Sequence, residues 1–349
     1  MPFAFEWIFL GILLTAITFA PESPYWYLER DRTAEAYKQL KKLVREGSDE
    51  RAKEKLALMQ HTLQQEEKFD AADEHNLDEQ PLWRRCLHDL KRPFSGVDVR
   101  RTEIACVAWI IQAMCGSSII GWAPTLFVSA GLPPSKALSV NIGLPSAGIL
   151  GTLASWWLMR KMGRRTIYLW GLLVMAVLLV LCGAAAFAPG NSAGWIAGGV
   201  LIAYTAIYDL TIGPVCYSIV SEIPSIRLRA PTLAKARGSY LLVNLVNGFL
   251  TPKMVGTDAE SWGWGSKTGF FYAVMCLLGF VYTWYRIPET KDLSARALDI
   301  LFQHRAKTRE FSNWKAAEFE AIDAEEEESK GTNHRRSTIS VWPSATHSS

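Results

Sequence analysis

The residues with chemistry to offer are polar side chains set in apolar sequence, and their chemistry is hydrogen bonding and ion pairing. Asp209 lies within Tyr204-Thr205-Ala206-Ile207-Tyr208-Asp209, inside the apolar stretch 194–219. An ionisable group at that depth is a functional candidate by default. A structural hydrogen-bonding role, or a position nearer the outer surface, is the other reading. Gln112 and Ser118 lie in the stretch 109–124, where Gly116, Gly121 and Pro124 argue against a uniform helix. A broken helix inside a membrane is tolerated only where it lines a cavity or is buried in protein, although Gln112 bridging two helices is the structural alternative. Asn244 and Asn247, three apart, share neighbouring helix faces. Arg164 and Arg165 occupy a short turn, and Glu222 and Arg229 also sit where apolar spans end. Ion pairs at such a partly desolvated edge can form in one conformer and break in another. Charges that only set topology and pair at the surface are the plainer reading.

The elements that must position these groups follow from apolar length. Crossing the hydrocarbon core takes about 20 mostly apolar residues, and the segments that qualify are 3–20, 104–128, 138–159, 166–188, 194–219, 238–256 and 268–287. The first is short and carries Glu6. Without a basic n-region, and with Ala20-Pro21-Glu22 a poor cleavage site, it reads as a membrane helix rather than a signal peptide. Composition agrees: 49% of residues are hydrophobic and 14 are Trp, yet mean hydropathy is only +0.07 because charge crowds into 29–103 and 286–336.

Basic residues flanking the spans set the orientation. Arg160, Lys161, Arg164 and Arg165 lie between the third and fourth spans, and Arg227, Arg229, Lys235 and Arg237 between the fifth and sixth. The alternate loops carry Lys136, nothing basic in 189–194, and Lys253 and Lys267 against Asp258 and Glu260. Residues 21–103 and the C-terminal tail are therefore expected in the cytoplasm. Seven spans starting outside also match a receptor topology, but the large cytoplasmic segment after the first span and the tight basic turn after the third weigh against it.

In 31–69, Ala34, Tyr37, Leu40, Leu43 and Val44, then Leu56, Met59 and Leu63, recur at helical spacing and predict short amphipathic helices. Residues 70–98, with an acidic run and Pro81, Pro93 and Gly96, read as linker, with Leu82-Trp83 a docking point. The tail beyond about 306, with Glu325 to Glu328 and a Ser/Thr-rich end, is expected to be disordered. Arg335-Arg336-Ser337-Thr338 resembles a common kinase site. Cys86, Cys106, Cys115, Cys182, Cys216 and Cys276 lack metal-ligand spacing and read as free thiols. With no catalytic Ser-His-Asp pattern, phosphate-cradling glycine loop or metal cluster, neither an enzyme nor a cofactor is expected. A net charge of +3 is too small to argue for nucleic acid.

Four short words stand in order at membrane edges: Pro21-Glu22-Ser23-Pro24-Tyr25-Trp26; Gly163-Arg164-Arg165; Gly213-Pro214-Val215-Cys216-Tyr217 running through Ser221-Glu222-Ile223-Pro224 to Arg227-Leu228-Arg229; and Pro288-Glu289-Thr290-Lys291 followed by Leu298-Asp299 and Leu301-Phe302. On these the chain, over roughly 1–303, resembles the sugar porters of the major facilitator superfamily, and within them the fungal α-glucoside (maltose-type) permeases. The resemblance implies two six-helix bundles rocking about a midplane sugar site. It also implies that five family helices, with the acidic group commonly tied to proton coupling, have no counterpart in this chain.

By the resemblance, Gln112 matches the first of a glutamine pair, Ala113 replaces the second, and Ser118 stands where the family has an asparagine. This departure fits the α-glucoside branch better than a hexose contact set. Tyr217 matches an aromatic that stacks on the sugar ring and Asn244 a sugar-contact position, whereas Asn247 reads as packing. Arg164, Arg165, Glu222 and Arg229 would form a charge network closing the inner gate.

The expectation is an all-α membrane protein. Residues 1–20 form a remnant helix of the N-terminal half, 21–103 a cytoplasmic helical linker, 104–287 a six-helix C-terminal bundle, and 288–349 a cytoplasmic tail. The chain reads as a fragment of a plasma-membrane maltose:proton symporter, with the α-glucoside, the proton and the lipid bilayer as partners. The alternative is a non-transporting sugar sensor or interfering membrane subunit.

Overall fold

The computed structural model describes residues 2–20, 22–43, 49–50, 52–53, 55–60, 63, 94, 96, 98–188, 192–225, 228–256, 260–293, 295–309 and 311. Among them there is helix and no strand. Leu82-Trp83, Cys86, the acidic run Glu325 to Glu328 and Arg335-Arg336-Ser337-Thr338 fall outside the described residues, as do Pro21, Arg227 and Asp258. The chain divides into two compact units, Met1–Cys86 and Leu87–Ser349.

In the first unit, α1 (Pro2–Phe19) exposes Trp7, Phe9, Ile12, Leu13, Ile17 and Phe19. From Trp7 to Phe19 the helix is apolar and suited to lipid, and its 18 residues are about 27 Å long. Helix α2 (Pro24–Leu28) starts with proline, which has no amide hydrogen to leave unsatisfied there. Helix α3 (Thr33–Leu43) buries Ala36 and Leu40, one turn apart, with Tyr37 half-buried beside them. Ala34 and Leu43, expected on that face, are exposed. Leu56, Met59 and Leu63 are all half-buried, whereas Leu58 is exposed, in keeping with the second predicted face.

The second unit contains α4 (Asp98–Met114), α5 (Ser117–Gly121), α6 (Ala123–Ser129), α7 (Pro134–Lys161), α8 (Arg164–Ala184), α9 (Ser192–Leu210), α10 (Ile212–Glu222), α11 (Arg229–Val255), α12 (Thr268–Arg286) and α13 (Ala295–Gln303). Among the described residues, five stretches are long and apolar enough to cross a membrane: Asp98–Gly121, Pro134–Lys161, Arg164–Phe187, Ser192–Glu222 and Gly265–Arg286. Helix α11 is as long, at 27 residues, but carries Lys235 and Arg237 in its first half.

Helix α7 packs on α9, α8 on α12, and α4 on α11. Small residues set the first contact. Beyond Leu144, the buried residues of α7 are Gly148, Gly151 and Ser155, and a β-carbon at Gly151 would overlap the carbonyl of Ala206. Close backbone approach through small residues is how helices associate in lipid, where apolar side chains gain nothing from leaving a solvent as apolar as themselves. The core is completed by Tyr168, Leu172, Leu179, Tyr204, Ile219 and Tyr272. Outside it, Ile142, Ile149, Trp156 and Trp157 of α7, and Leu242, Leu245 and Phe249 of α11, face away from protein. The chain is a multi-pass membrane protein, and these exposed apolar faces are suited to lipid.

Candidate functional site

The site is organised by the break after α4. Gly116 has φ +102°, a left-handed conformation that a residue with a side chain adopts only under strain, and α5 begins just after it. A break exposes backbone carbonyls that the membrane interior cannot hydrate. Here the carbonyl of Cys115 accepts from the Tyr204 hydroxyl at 2.8 Å and from the Cys276 thiol at 3.2 Å. The carbonyl of Gln112 accepts from the Cys115 thiol at 3.0 Å and the Ser117 hydroxyl at 3.3 Å.

Gln112 is 4% exposed. Its Nε2 donates to the Tyr208 hydroxyl at 3.2 Å, while its Oε1 is buried with no partner. A buried acceptor in that state is costly until something donates to it. Ser118, beyond the break, interacts with the hydroxyl of Tyr272. Tyr272 also meets Thr251 at 2.7 Å and donates to Asn247 Oδ1 at 3.4 Å, and Asn247 Nδ2 donates to the Ala113 carbonyl at 2.9 Å. Asn247 thus ties α11 to α4, a packing role.

Tyr217, on α10, is 56% exposed and meets Trp109 edge-on, with ring centres 4.7 Å apart. Trp109 is also in edge contact with Tyr240 at 4.8 Å, and the Arg237 guanidinium lies 4.6 Å from the Trp109 ring centre and 4.5 Å from that of Tyr240. Gln112 and Trp109 are one turn apart on α4, so the Gln112–Tyr208 pair and the Tyr217–Trp109–Tyr240 row occupy successive turns. Asn244, one turn beyond Tyr240, is half-buried and makes no hydrogen bond among the described residues. Trp109, Tyr208 and Tyr240 were not anticipated from the sequence, because aromatics in apolar spans carry no local mark that separates lining from packing.

Asp209 follows Tyr208 but points elsewhere. A β-carbon at Gly148 would lie 2.5 Å from its Oδ2, so the carboxylate sits against α7, away from Gln112. It makes no hydrogen bond or ion pair among the described residues and is half-buried.

A second cluster lies at the end of the bundle where α8 begins. Arg164 Nη2 is 3.3 Å from Glu222 Oε1, and Glu222 Oε2 accepts from the Thr290 hydroxyl. Arg165 donates to the Trp284 carbonyl at 2.8 Å. Lys291 Nζ donates to the Lys161 carbonyl at 3.0 Å. Glu222 therefore joins the start of α8, the end of α10 and the segment after α12. Arg229 is exposed and takes no part in any ion pair among the described residues.

Beside this cluster, Glu103 pairs with Arg286 and accepts from Tyr282 at 3.1 Å. Arg101, 3% exposed, pairs with Asp299 and donates to the Leu298 carbonyl, with its guanidinium over the Phe302 ring at 4.5 Å. Arg100 donates to the Ala306 carbonyl at 2.8 Å and to Thr308 at 2.9 Å, so the chain stays packed a few residues past 306. No group of residues suited to holding a metal ion occurs among the described residues.

The chain is similar to known proteins. The general α-glucoside permease of Saccharomyces cerevisiae strain S288c is 34% identical over 314 residues, 90% of this chain and 49% of that protein. Maltose permease MAL31 of the same yeast is 32% identical over 329 residues, 93% of this chain and 51% of that protein. The chain thus spans about half the length of the curated relatives it matches. Among solved structures, the major facilitator superfamily proton:xylose symporter XylE bound to 6-bromo-6-deoxy-D-glucose superposes with a TM-score of 0.67 at 25% identity, covering 86% of this chain and 58% of that one. The family model described as sugar (and other) transporter matches residues 1–302, and the chain belongs to that family.

Proposed function

We propose that this chain provides one six-helix bundle, residues 104–287 with its flanking helices, of an α-glucoside permease of the plasma membrane. The carrying observation is similarity to two yeast permeases, named for α-glucosides and for maltose, over at least 90% of the chain. The geometry supports it. Gln112 holds a buried amide oxygen with no partner among the described residues, and Tyr217, against Trp109 one turn away on α4, an exposed ring, a combination that suits a pyranose with hydroxyl edges and C–H faces. In this reading Ser118, beyond the break, and Asn244, one turn beyond Tyr240, contribute further polar groups. The opposite wall would come from a second bundle, and transport by alternating access requires both.

The Arg164–Glu222–Thr290 connection, with Arg165 beside it, acts in this reading as the inner gate. It joins three elements through part-exposed polar contacts that break when the cytoplasmic ends separate. Proton coupling belongs to the same proposal, supported by the fold shared with XylE, itself a proton:xylose symporter. Asp209, a carboxylate within a span that has no partner among the described residues, is this bundle's candidate for taking part in it.

The test is uptake of labelled maltose in a transport-null yeast expressing the chain alone or together with the N-terminal bundle of the yeast general α-glucoside permease. Uptake by the pair, abolished by Gln112→Ala and collapsed by a protonophore, is expected. Uptake by the chain alone would indicate paired copies of this bundle. No uptake from either, with both chains in the plasma membrane, would overturn the reading in favour of a sensor or interfering subunit.

A further inference from the structure

We propose that the end of the bundle opposite the Arg164–Glu222 cluster holds a second, outer saccharide subsite, built on Trp264 and Ser266. It rests on the α-glucoside reading above and adds a place where the sugar is held before it reaches Gln112. A recess of about 470 Å³ opens there, between the ends of α6 and α11 and the turn before α12, with Ser129, Ala130, Ala186, Val255, Trp264 and Ser266 in its lining. That size falls within the range of about 300–1,000 Å³ typical of small-molecule sites.

Its shape is built in. Trp264 stands between Gly263, φ +62°, and Gly265, φ +51°, two left-handed positions that turn the chain sharply on either side of the indole. The turn is pinned to the last turn of α11: Trp262 N–H donates to the Lys253 carbonyl at 2.7 Å and Trp264 N–H to the Met254 carbonyl at 2.9 Å. Trp264 nevertheless remains 41% exposed, with Trp262 beside it at 5.3 Å between ring centres. Tryptophans at membrane edges commonly serve as headgroup anchors. Trp264 differs in lining a recess that has an unsatisfied hydroxyl in its wall.

That hydroxyl belongs to Ser266, which is 4% exposed and whose Oγ has no partner among the described residues. A buried hydroxyl in a well-packed protein is expected to find a partner. Lys267 is the single charged residue of the lining among the described residues, and its ammonium lies 5.4 Å from the centre of the Phe187 ring. Among the described residues no carboxylate lines the recess to receive a cation, and one lysine already against an aromatic face is a weak basis for an anion. An indole face, a buried hydroxyl and a rim ammonium together suit a neutral polyhydroxylated ring with an apolar face, a glycosyl unit.

The test uses the full chain in membrane vesicles, with Cys86 replaced by serine and a reporter thiol introduced as Ala130→Cys at the rim, or as Lys267→Cys should the first variant fail to insert. Labelling by a membrane-impermeant maleimide is timed with and without maltose, with mannitol at equal osmolality as control, and Asn244→Cys reports the midplane surface in parallel. Maltose, but not mannitol, is expected to slow rim labelling about tenfold when present at about ten times its dissociation constant, and Trp264→Ala is expected to abolish that protection. Protection that survives Trp264→Ala, or none at either rim position while Asn244→Cys is protected, overturns the outer subsite and leaves the α-glucoside reading standing. Rim protection without protection at Asn244→Cys supports the subsite and counts against the midplane surface. Protection at no position overturns both.

Discussion

The carboxylate of Glu289 lies directly on the backbone of Gly163, at the position a β-carbon would occupy. The two residues come from separate sequence words, Gly163-Arg164-Arg165 and Pro288-Glu289-Thr290-Lys291, and the contact explains why the first begins with glycine. It also sets an acidic group at the N-terminal end of α8, where the helix dipole favours negative charge. Gly163→Ala is expected to displace the Glu289 side chain and to destabilise by about 1–3 kcal/mol, the usual cost of overpacking. Thermal unfolding in detergent measures it. Glu289→Ala added to Gly163→Ala should recover part of the loss, and additive effects would show that the two do not share one site.

Glu222→Gln removes the charge facing Arg164 while keeping an oxygen for Thr290. Because the pair is partly exposed, the expected change in stability is below about 1 kcal/mol. The informative readout is conformational. Paired with a second bundle, the variant should favour the inward-facing state, so a cysteine probe in the outer cavity labels more slowly; unchanged labelling would remove the gating role.

Arg101 and Asp299 differ in burial, 3% against 27% side-chain exposure, and the two halves of the pair should not be equivalent. Asp299→Ala leaves a buried guanidinium without its counter-charge, at a cost of about 3 kcal/mol or more. Arg101→Met keeps much of the packing volume and leaves a carboxylate that water can reach, so it should cost less. Limited proteolysis within 288–311, faster in Asp299→Ala than in Arg101→Met, would confirm the order.

Gln112→Leu preserves volume but removes the donor to Tyr208 and the unpartnered Oε1. Loss of the hydrogen bond should cost about 0.5–1.5 kcal/mol, a small shift in melting temperature, whereas maltose uptake by the two-bundle assembly should be lost. Tyr217→Ala should likewise weaken maltose binding with little change in stability, since its ring is largely exposed. A variant of either residue that melts normally and transports normally would exclude it from the sugar surface.

Apolar runs and charge placement are local properties, and they were enough to determine that the chain is an all-helical membrane protein, although among the described residues five of the seven expected spans, not 3–20 or 238–256, are long and apolar enough to cross a membrane. The break at Gly116 was legible for the same reason, since glycine and proline act on their own backbone. Span ends were less so. The first helix of the bundle begins at Asp98 rather than near 104, because Arg101 and Glu103, which end an apolar run by composition, are neutralised by Asp299 and Arg286. Helix α11 likewise starts at Arg229, well before the apolar run at 238.

Pairings were decided only by the tertiary structure. Gln112 meets Tyr208 across 96 residues and Arg101 meets Asp299 across 198. Which side of α9 turns Tyr208 toward Gln112 and Asp209 toward Gly148 depends on the helix's rotation, and close packing at Gly148 and Gly151 sets that rotation. Helical periodicity tells which residues share a face, but it is silent on what that face meets. The sequence alone determined which residues carry polar chemistry within the membrane. The packing of the helices determined what Gln112, Glu222 and Asp209 face: Tyr208, Arg164 with Thr290, and Gly148.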